Sequence, residues 1–134
     1  MAANALECGK LLSIDYGLTT EEFFVPERGY GTLRGYHRHQ LGGDLLACPG
    51  EQDITAHVNF TAIMAAGESA GLRTDAFLTQ GQFLASIAAR IGKEQGSFGK
   101  WTRERTRQLQ TLMHPEHMGR SFRVLVQERL CPGT

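Results

Sequence analysis

The segment that most constrains this chain is Lys10-Leu11-Leu12-Ser13-Ile14. It is a short apolar run bounded by Cys8-Gly9 and Asp15-Tyr16-Gly17, and it reads as a buried strand entered from a helix exit and left through a turn. Continuous apolar strands are usually covered on both faces and flanked by neighbours. Only Met1 to Glu7 precede this one, too few residues to supply another strand and a crossover helix. The strand is therefore expected to open in the middle of a domain and to leave one edge free for a partner or a second copy. Ligands of open α/β sheets bind at the carboxyl ends of the strands, so Asp15 and its neighbours are the first functional candidates.

A chain of 134 residues fits one domain. Its 14 basic and 14 acidic residues are balanced and unclustered, which argues against a nucleic-acid or lipid surface. No apolar run is long enough to span a bilayer and no signal peptide is visible at Met1, so a soluble, cytoplasmic protein is expected. Cys8, Cys48 and Cys131 are odd in number and widely spaced. Three reduced thiols are expected, without a disulfide framework or a zinc site.

Residues 18 to 52 read as a long loop or insertion punctuated by Gly and Pro, with Thr32 to His37 as a short extended piece. Connections of this length are commonly functional. Asn59 is an N-cap for a helix over Phe60 to Ala70, with Gly71 as its exit. Ala76-Phe77-Leu78 reads as a strand, and Thr79 with Gln82 forms a capping box for a helix that closes at Gly92. Ser97 caps a third helix from Phe98 to about Met113, with Phe98, Trp101, Leu109, Leu112 and Met113 inward and Pro115 ending it. Phe122 to Gln127 alternates with period two and makes a final strand, with Phe122, Val124 and Val126 on one face. The order is that of an α/β fold with its front end missing.

Several polar groups carry chemistry. Asp15 would accept a proton or hold a cationic group, with the phenol of Tyr16 beside it; the alternative is that Asp15 and Gly17 only shape the turn. In a strand, His37 and His39 would share a face, which suits metal ligation or proton transfer, yet no further ligands stand at a recognisable spacing. Asp53 to Phe60 is a polar run leading into a helix N-terminus, suited to an anion or a substrate loop. Plain capping, with Asp53 and Thr55 supporting the turn before Asn59, accounts for it as well. His114-Pro115-Glu116-His117 reads as a helix stop, since Pro115 breaks the spacing a zinc helix needs.

Leu12-Ser13-Ile14-Asp15-Tyr16-Gly17, Gly31-Thr32-Leu33-Arg34-Gly35-Tyr36 with His37 and His39, Pro49 to Phe60, Thr79-Gln80-Gly81-Gln82-Phe83-Leu84, and Met118-Gly119 before Phe122-Arg123-Val124-Leu125 form one ordered series. It resembles the C-terminal half of the MidA-like methyltransferases, whose mitochondrial relative is an arginine methyltransferase that assists assembly of respiratory complex I. The resemblance implies the C-terminal flank of a class I Rossmann-like sheet that uses S-adenosyl-L-methionine. Lys10 to Ile14 would be its fifth strand, Ala76 to Leu78 its sixth, and Phe122 to Gln127 its seventh, inserted antiparallel between them. In that family the Gly-rich cofactor loop and the ribose-binding acid lie in the N-terminal half, so no cofactor-binding residue is expected here.

Carried over by position, Asp15, Tyr16 and Gly17 match a turn at the mouth of the active site. Asp15 would orient a nitrogen and share its charge, with Tyr16 and His37 as catalytic neighbours. Gly17, Arg34, Asp53, Thr55, His57, Asn59 and Gln80 are implied to bind substrate. Asn59 stands where the family has Asp, which removes a charge and keeps the cap.

The leading expectation is thus a partial domain, 1–134, of a protein methyltransferase acting on an arginine or similar nitrogen. Its partners would be a protein substrate or a complementary N-terminal half. A non-enzymatic module that self-associates through the open strand edge is the alternative. A metal hydrolase using His37, His39 and His57 is a third possibility without proper ligand spacing.

Overall fold

The computed structural model describes residues 2–38, 40–42, 44–91 and 101–131. After a short helix α1 (Ala2–Ala5), strand β1 runs from Gly9 to Leu18, beyond the expected turn. Asp15 pairs with Arg123, Tyr16 with Phe122 and Gly17 with Val58, so Asp15-Tyr16-Gly17 is strand and not turn. Gly17 is there for space, because a Cβ on it would overlap the Phe60 ring. The chain turns only after Leu18. Thr19 and Glu22 close a reciprocal capping box on α2 (Thr20–Phe23), with bonds of 3.2 and 2.9 Å.

The long segment expected to lack regular structure contains a second sheet. A 3₁₀ turn (Pro26–Arg28) leads to β2 (Arg34–His37) and β3 (Gln40–Gly42), and β4 (Gln52–Thr55) pairs on the other side of β2. All pairings are antiparallel, in the order β3-β2-β4. The expected alternation through His39 fails, because β2 ends at His37 and Arg38 adopts a left-handed conformation with φ 49°. His39 lies outside the described residues. Asp53 and Thr55 are ladder positions in β4 rather than supports of a turn before Asn59.

From here to α4 the local signals hold. Asn59 ends β5 (Val58–Asn59), and its side chain accepts from the Ala62 N–H to cap α3 (Phe60–Ser69). Gly71, with φ 81°, ends α3 in a Schellman pattern: Leu72 N–H reaches Gly67 O and Gly71 N–H reaches Glu68 O. The strand β6 (Arg73–Thr79) is longer than expected, and Thr79 and Gln82 cap α4 (Gln80–Ile91) reciprocally. The next helix, α5 (Arg103–Met113), is capped by Thr102. It starts later than expected, and Trp101 and Leu112 are exposed rather than inward. Gly92, Ser97 and Phe98 lie outside the described residues. Pro115 does end α5, through a π turn over Pro115–Gly119.

The last strand, β7 (Phe122–Arg129), organises the main sheet. The order is β5-β1-β7-β6, with β7 antiparallel to both β1 and β6, the insertion that the resemblance implies. Its alternation suggests one buried face, but Val124, Leu125, Val126 and Gln127 are all buried. One face lies under α3, where Phe60 meets the Phe77 ring at 5.3 Å and the Gln127 amide donates to Met64 O. Gly67 lacks a side chain because the Gln127 amide occupies that space. On α4's side, that helix packs against β6 and β7.

The antiparallel ladder brings the start of β1 to the end of β7, and Cys8 and Cys131 form a disulfide there with a Cα separation of 4.9 Å. The expectation of three reduced thiols is thereby overturned; Cys48 is a free, exposed thiol. The pairing comes from register across 123 residues of sequence, which spacing does not show. The thiol argument for a cytoplasmic setting loses its support with it. Among the described residues no helix is long and apolar enough to cross a membrane.

Candidate active site

The two sheets meet where β1 ends, and a pocket of about 370 Å³ lies between them. Antiparallel register puts Arg34 opposite Thr55 and Tyr36 opposite Asp53. Side chains two apart in a strand share a face, so these four belong to one face of the small sheet. Arg34, Tyr36 and Thr55 line the pocket, together with Ala56 and His57 from the β4–β5 link. Tyr16 supplies the wall on the β1 side, its ring centroid 3.9 Å from that of Phe122. Ser121, just before β7, completes it with Thr32.

Thr32 is buried, and its hydroxyl accepts the His57 backbone N–H at 3.1 Å. That bond fixes the link carrying the imidazole against the loop entering β2. Burial, reinforced by the guanidinium groups of Arg28 and Arg34, holds the His57 pKa below the usual histidine range. The neutral imidazole is thus favoured and available to accept a proton. Two phenols, three aliphatic hydroxyls, one guanidinium and one imidazole line the pocket, with no carboxylate among these residues.

The other expected site residues are dispersed. Asp15 is exposed and points to the face of β1 opposite Tyr16, and its carboxylate accepts the Tyr16 N–H at 2.7 Å. His37 faces away from Arg34 and Tyr36, its Nδ1 2.9 Å from Glu51 O. Asp53 shares the pocket's face of the small sheet without lining the pocket. Gly17 and Asn59 form the junction of β1, β5 and α3, and Asn59 also exchanges hydrogen bonds with Thr20. Gln80 is buried just past the end of β6, two strands across from β1, and donates to Leu112 O at 2.9 Å, where it ties α4 to α5. Among the described residues no three His, Cys, Asp or Glu side chains group as a metal would need. Thr32, Tyr36, Ala56 and Ser121 were not singled out from sequence for this site. For Tyr36 the signal was present, since it stands two residues after Arg34 in an extended piece.

Residues 1–78 match a family described as "Putative S-adenosyl-L-methionine-dependent methyltransferase". An uncharacterised protein from Burkholderia thailandensis is similar in structure, with a TM-score of 0.79 and 33% identity over 96% of this chain and 35% of its own. A second solved structure, of a Burkholderia thailandensis member of the same superfamily described as a "likely methyl transferase" and bound to S-adenosyl-homocysteine, gives a TM-score of 0.73 and 34% identity over 90% of this chain and 32% of its own. The chain thus spans about a third of the length of these solved structures. No curated protein matches it significantly. Since the matched segment, 78 of 134 residues, is more than half of the sequence, the chain belongs to this S-adenosyl-L-methionine-dependent methyltransferase family.

Proposed function

We propose that this chain forms the acceptor side of a MidA-like methyltransferase, the C-terminal flank of its sheet, and that the pocket between the two sheets receives the group to be methylated. One observation carries the reading: β7 lies antiparallel between two mutually parallel strands, with the pocket at the end of β1 where open α/β sheets bind ligands. A relative with S-adenosyl-homocysteine bound shares this portion of its fold.

The family's cofactor, S-adenosyl-L-methionine, donates a methyl group from a sulfonium. The described residues do not fit its site. A sulfonium in this pocket would face Arg34, with no carboxylate to offset it. The N-termini of α3 and α4 are closed by Asn59 and by the Thr79–Gln82 box. The cofactor site is therefore assigned to the two thirds of the relatives' fold that this chain does not span.

On the acceptor side, His57 takes a proton from the acceptor nitrogen, while Tyr16 and Tyr36 offer flat faces and phenol donors. A protein arginine, the acceptor suggested by the resemblance, brings a positive charge that this lining does not neutralise. Asp53, on the same face of the small sheet, is the candidate carboxylate within this chain. Calorimetric titration of S-adenosyl-L-methionine into the folded chain tests the assignment. No binding is expected; micromolar binding would place the cofactor site within these residues and overturn it. Mass spectrometry of protein methylated in the presence of this chain and the rest of the fold then locates the methyl group on arginine or elsewhere.

A further inference from the structure

The pocket between the two sheets is electrostatically one-sided. Arg34 carries the single formal charge of its lining, because the His57 imidazole is held neutral and no carboxylate stands among the lining residues. The chain as a whole is balanced, with 14 basic and 14 acidic residues. Ion pairs among the described residues use Lys10, Arg73 and Arg123 as cations, and Arg34 enters none of them. Its Nη1 donates instead to the Leu33 carbonyl at 2.7 Å and the Gly31 carbonyl at 3.4 Å. Those bonds hold the guanidinium at the start of β2 and leave it further N–H donors, since the group carries five. Asp53, a carboxylate on the same face of the small sheet, lies outside the lining.

The neighbouring groups extend this bias toward donors. Tyr16 and Tyr36 bring phenol O–H groups, and Thr32, whose oxygen accepts the His57 backbone N–H at 3.1 Å, keeps its own hydroxyl proton to give. The guanidinium groups of Arg28 and Arg34 both disfavour a charged His57, so positive potential reaches across the pocket. A guanidinium flanked by hydroxyl donors, with no carboxylate beside it, is complementary to an anion.

We propose that the methyl acceptor enters this pocket with a carboxylate beside the nitrogen to be methylated, and that Arg34 is the specificity residue that receives it. The inference rests on the reading that this pocket takes the acceptor. A cationic nitrogen alone would meet Arg34 as a like charge; a carboxylate next to it offsets both. The charge count selects a carboxylate over a phosphate. One unpaired guanidinium balances a single negative charge, whereas a phosphorylated residue carries about −1.5 to −2. A volume of about 370 Å³ lies at the small end of the range for ligand pockets, roughly 300–1,000 Å³, and suits a short stretch of chain. The substrate class is thus an acidic peptide segment, with an Asp or Glu adjoining the methylated residue.

The test follows the His57 imidazole resonances of this chain by NMR during titration with N-acetyl-aspartyl amide and with N-acetyl-asparaginyl amide, two probes that differ by one charge. A saturable shift is expected with the aspartyl probe, at least about tenfold tighter than with the asparaginyl one. Arg34→Gln should abolish that preference, and Arg34→Lys, which keeps the charge without the planar fork, should retain part of it. Arg107→Gln, which removes the same charge from α5, should change nothing. The contrast between the two probes in the unaltered chain decides the matter even if Arg34→Gln fails to fold by circular dichroism. No shift with either probe, equal binding of both, a preference that survives Arg34→Gln, or inorganic phosphate binding more tightly than the aspartyl probe would each overturn the proposal. Binding is read here without methyl transfer, so the two readings can fail separately. If the aspartyl probe binds through Arg34 while methylation by the assembled fold is indifferent to Arg34→Gln, the carboxylate site stands and the acceptor reading falls.

Discussion

The four-stranded sheet and the three-stranded sheet are held by different forces. In the first, β7 is covered on both faces, and close approaches such as Gly17 against Phe60 and Gly67 against Gln127 leave no room for added atoms. In the second, Leu41 is 63% and Ile54 53% exposed. Polar ties position it: the Gln52 amide donates to Leu45 O at 2.8 Å and to Ala47 O, and Thr32 holds the His57 backbone. The main sheet therefore carries the stability, while the small one, hung on a few hydrogen bonds, supplies most of the pocket. Binding groups on loops over a rigid scaffold follow the same division.

The largest test of that division is Phe60→Ala. Phe60 is fully buried between α3 and the sheet, and its truncation should cost about 3–5 kcal/mol in chemical denaturation. The matching truncation in the small sheet, Ile54→Ala, should stay within about 0.5 kcal/mol, because its side chain is half exposed. Equal losses at the two positions would break the comparison.

Gly67→Ala comes next. Its methyl would displace the Gln127 amide from Met64 O and Thr74 Oγ1, leaving a buried polar group unpaired. A loss of about 1–3 kcal/mol is expected. A double variant with Gln127→Ala, which removes both the clash and the orphaned amide, should lose less than the two single changes summed. Strict additivity would show that Gly67 and Gln127 do not constrain each other. Asn59→Ala should follow at about 1 kcal/mol, the usual worth of an N-cap, while Asn59→Asp, which keeps an accepting oxygen for the Ala62 N–H, should lose little.

What the sequence shows divides along the same line. Asn59, Gly71 and the Thr79–Gln82 box are local signals whose partners sit within a few residues, and the helix boundaries they set match the structure. The start of α5 was misjudged because Ser97 and Thr102 offer equivalent capping chemistry; Thr102 accepts from the N–H three residues on, and Ser97 lies outside the described residues. Asp15-Tyr16-Gly17 reads as a turn because Asp and Gly favour turns. Pairing with Arg123 and Phe122, more than a hundred residues away, decides otherwise. The disulfide and the covered second face of β7 are hidden for the same reason. At the pocket, Tyr16, Arg34, Thr55 and His57 come together, whereas Asp15 and His37 are turned away by the period-two alternation of their strands.

The smallest effect expected concerns His57, and it tests whether the small sheet sets the pocket's charge. Burial is the main reason its imidazole stays neutral, Arg28 the second and Arg34 the third. A histidine with a depressed folded pKa adds stability that is fully present above its unfolded value and is lost as pH falls through the folded one. Any acid loss from this group should therefore begin below the usual histidine range, near pH 6.5. By NMR titration, Arg28→Gln should raise the His57 pKa more than Arg34→Gln, and neither should restore the unperturbed value, because burial persists in both. Thermal melts at neutral pH should barely move, since neither side chain supports the main sheet. A full return to the ordinary histidine value in Arg34→Gln would mean that charge and not burial governs the imidazole. A large fall in melting temperature would mean that the small sheet bears load after all, and the division between scaffold and site would fail at its most polar point.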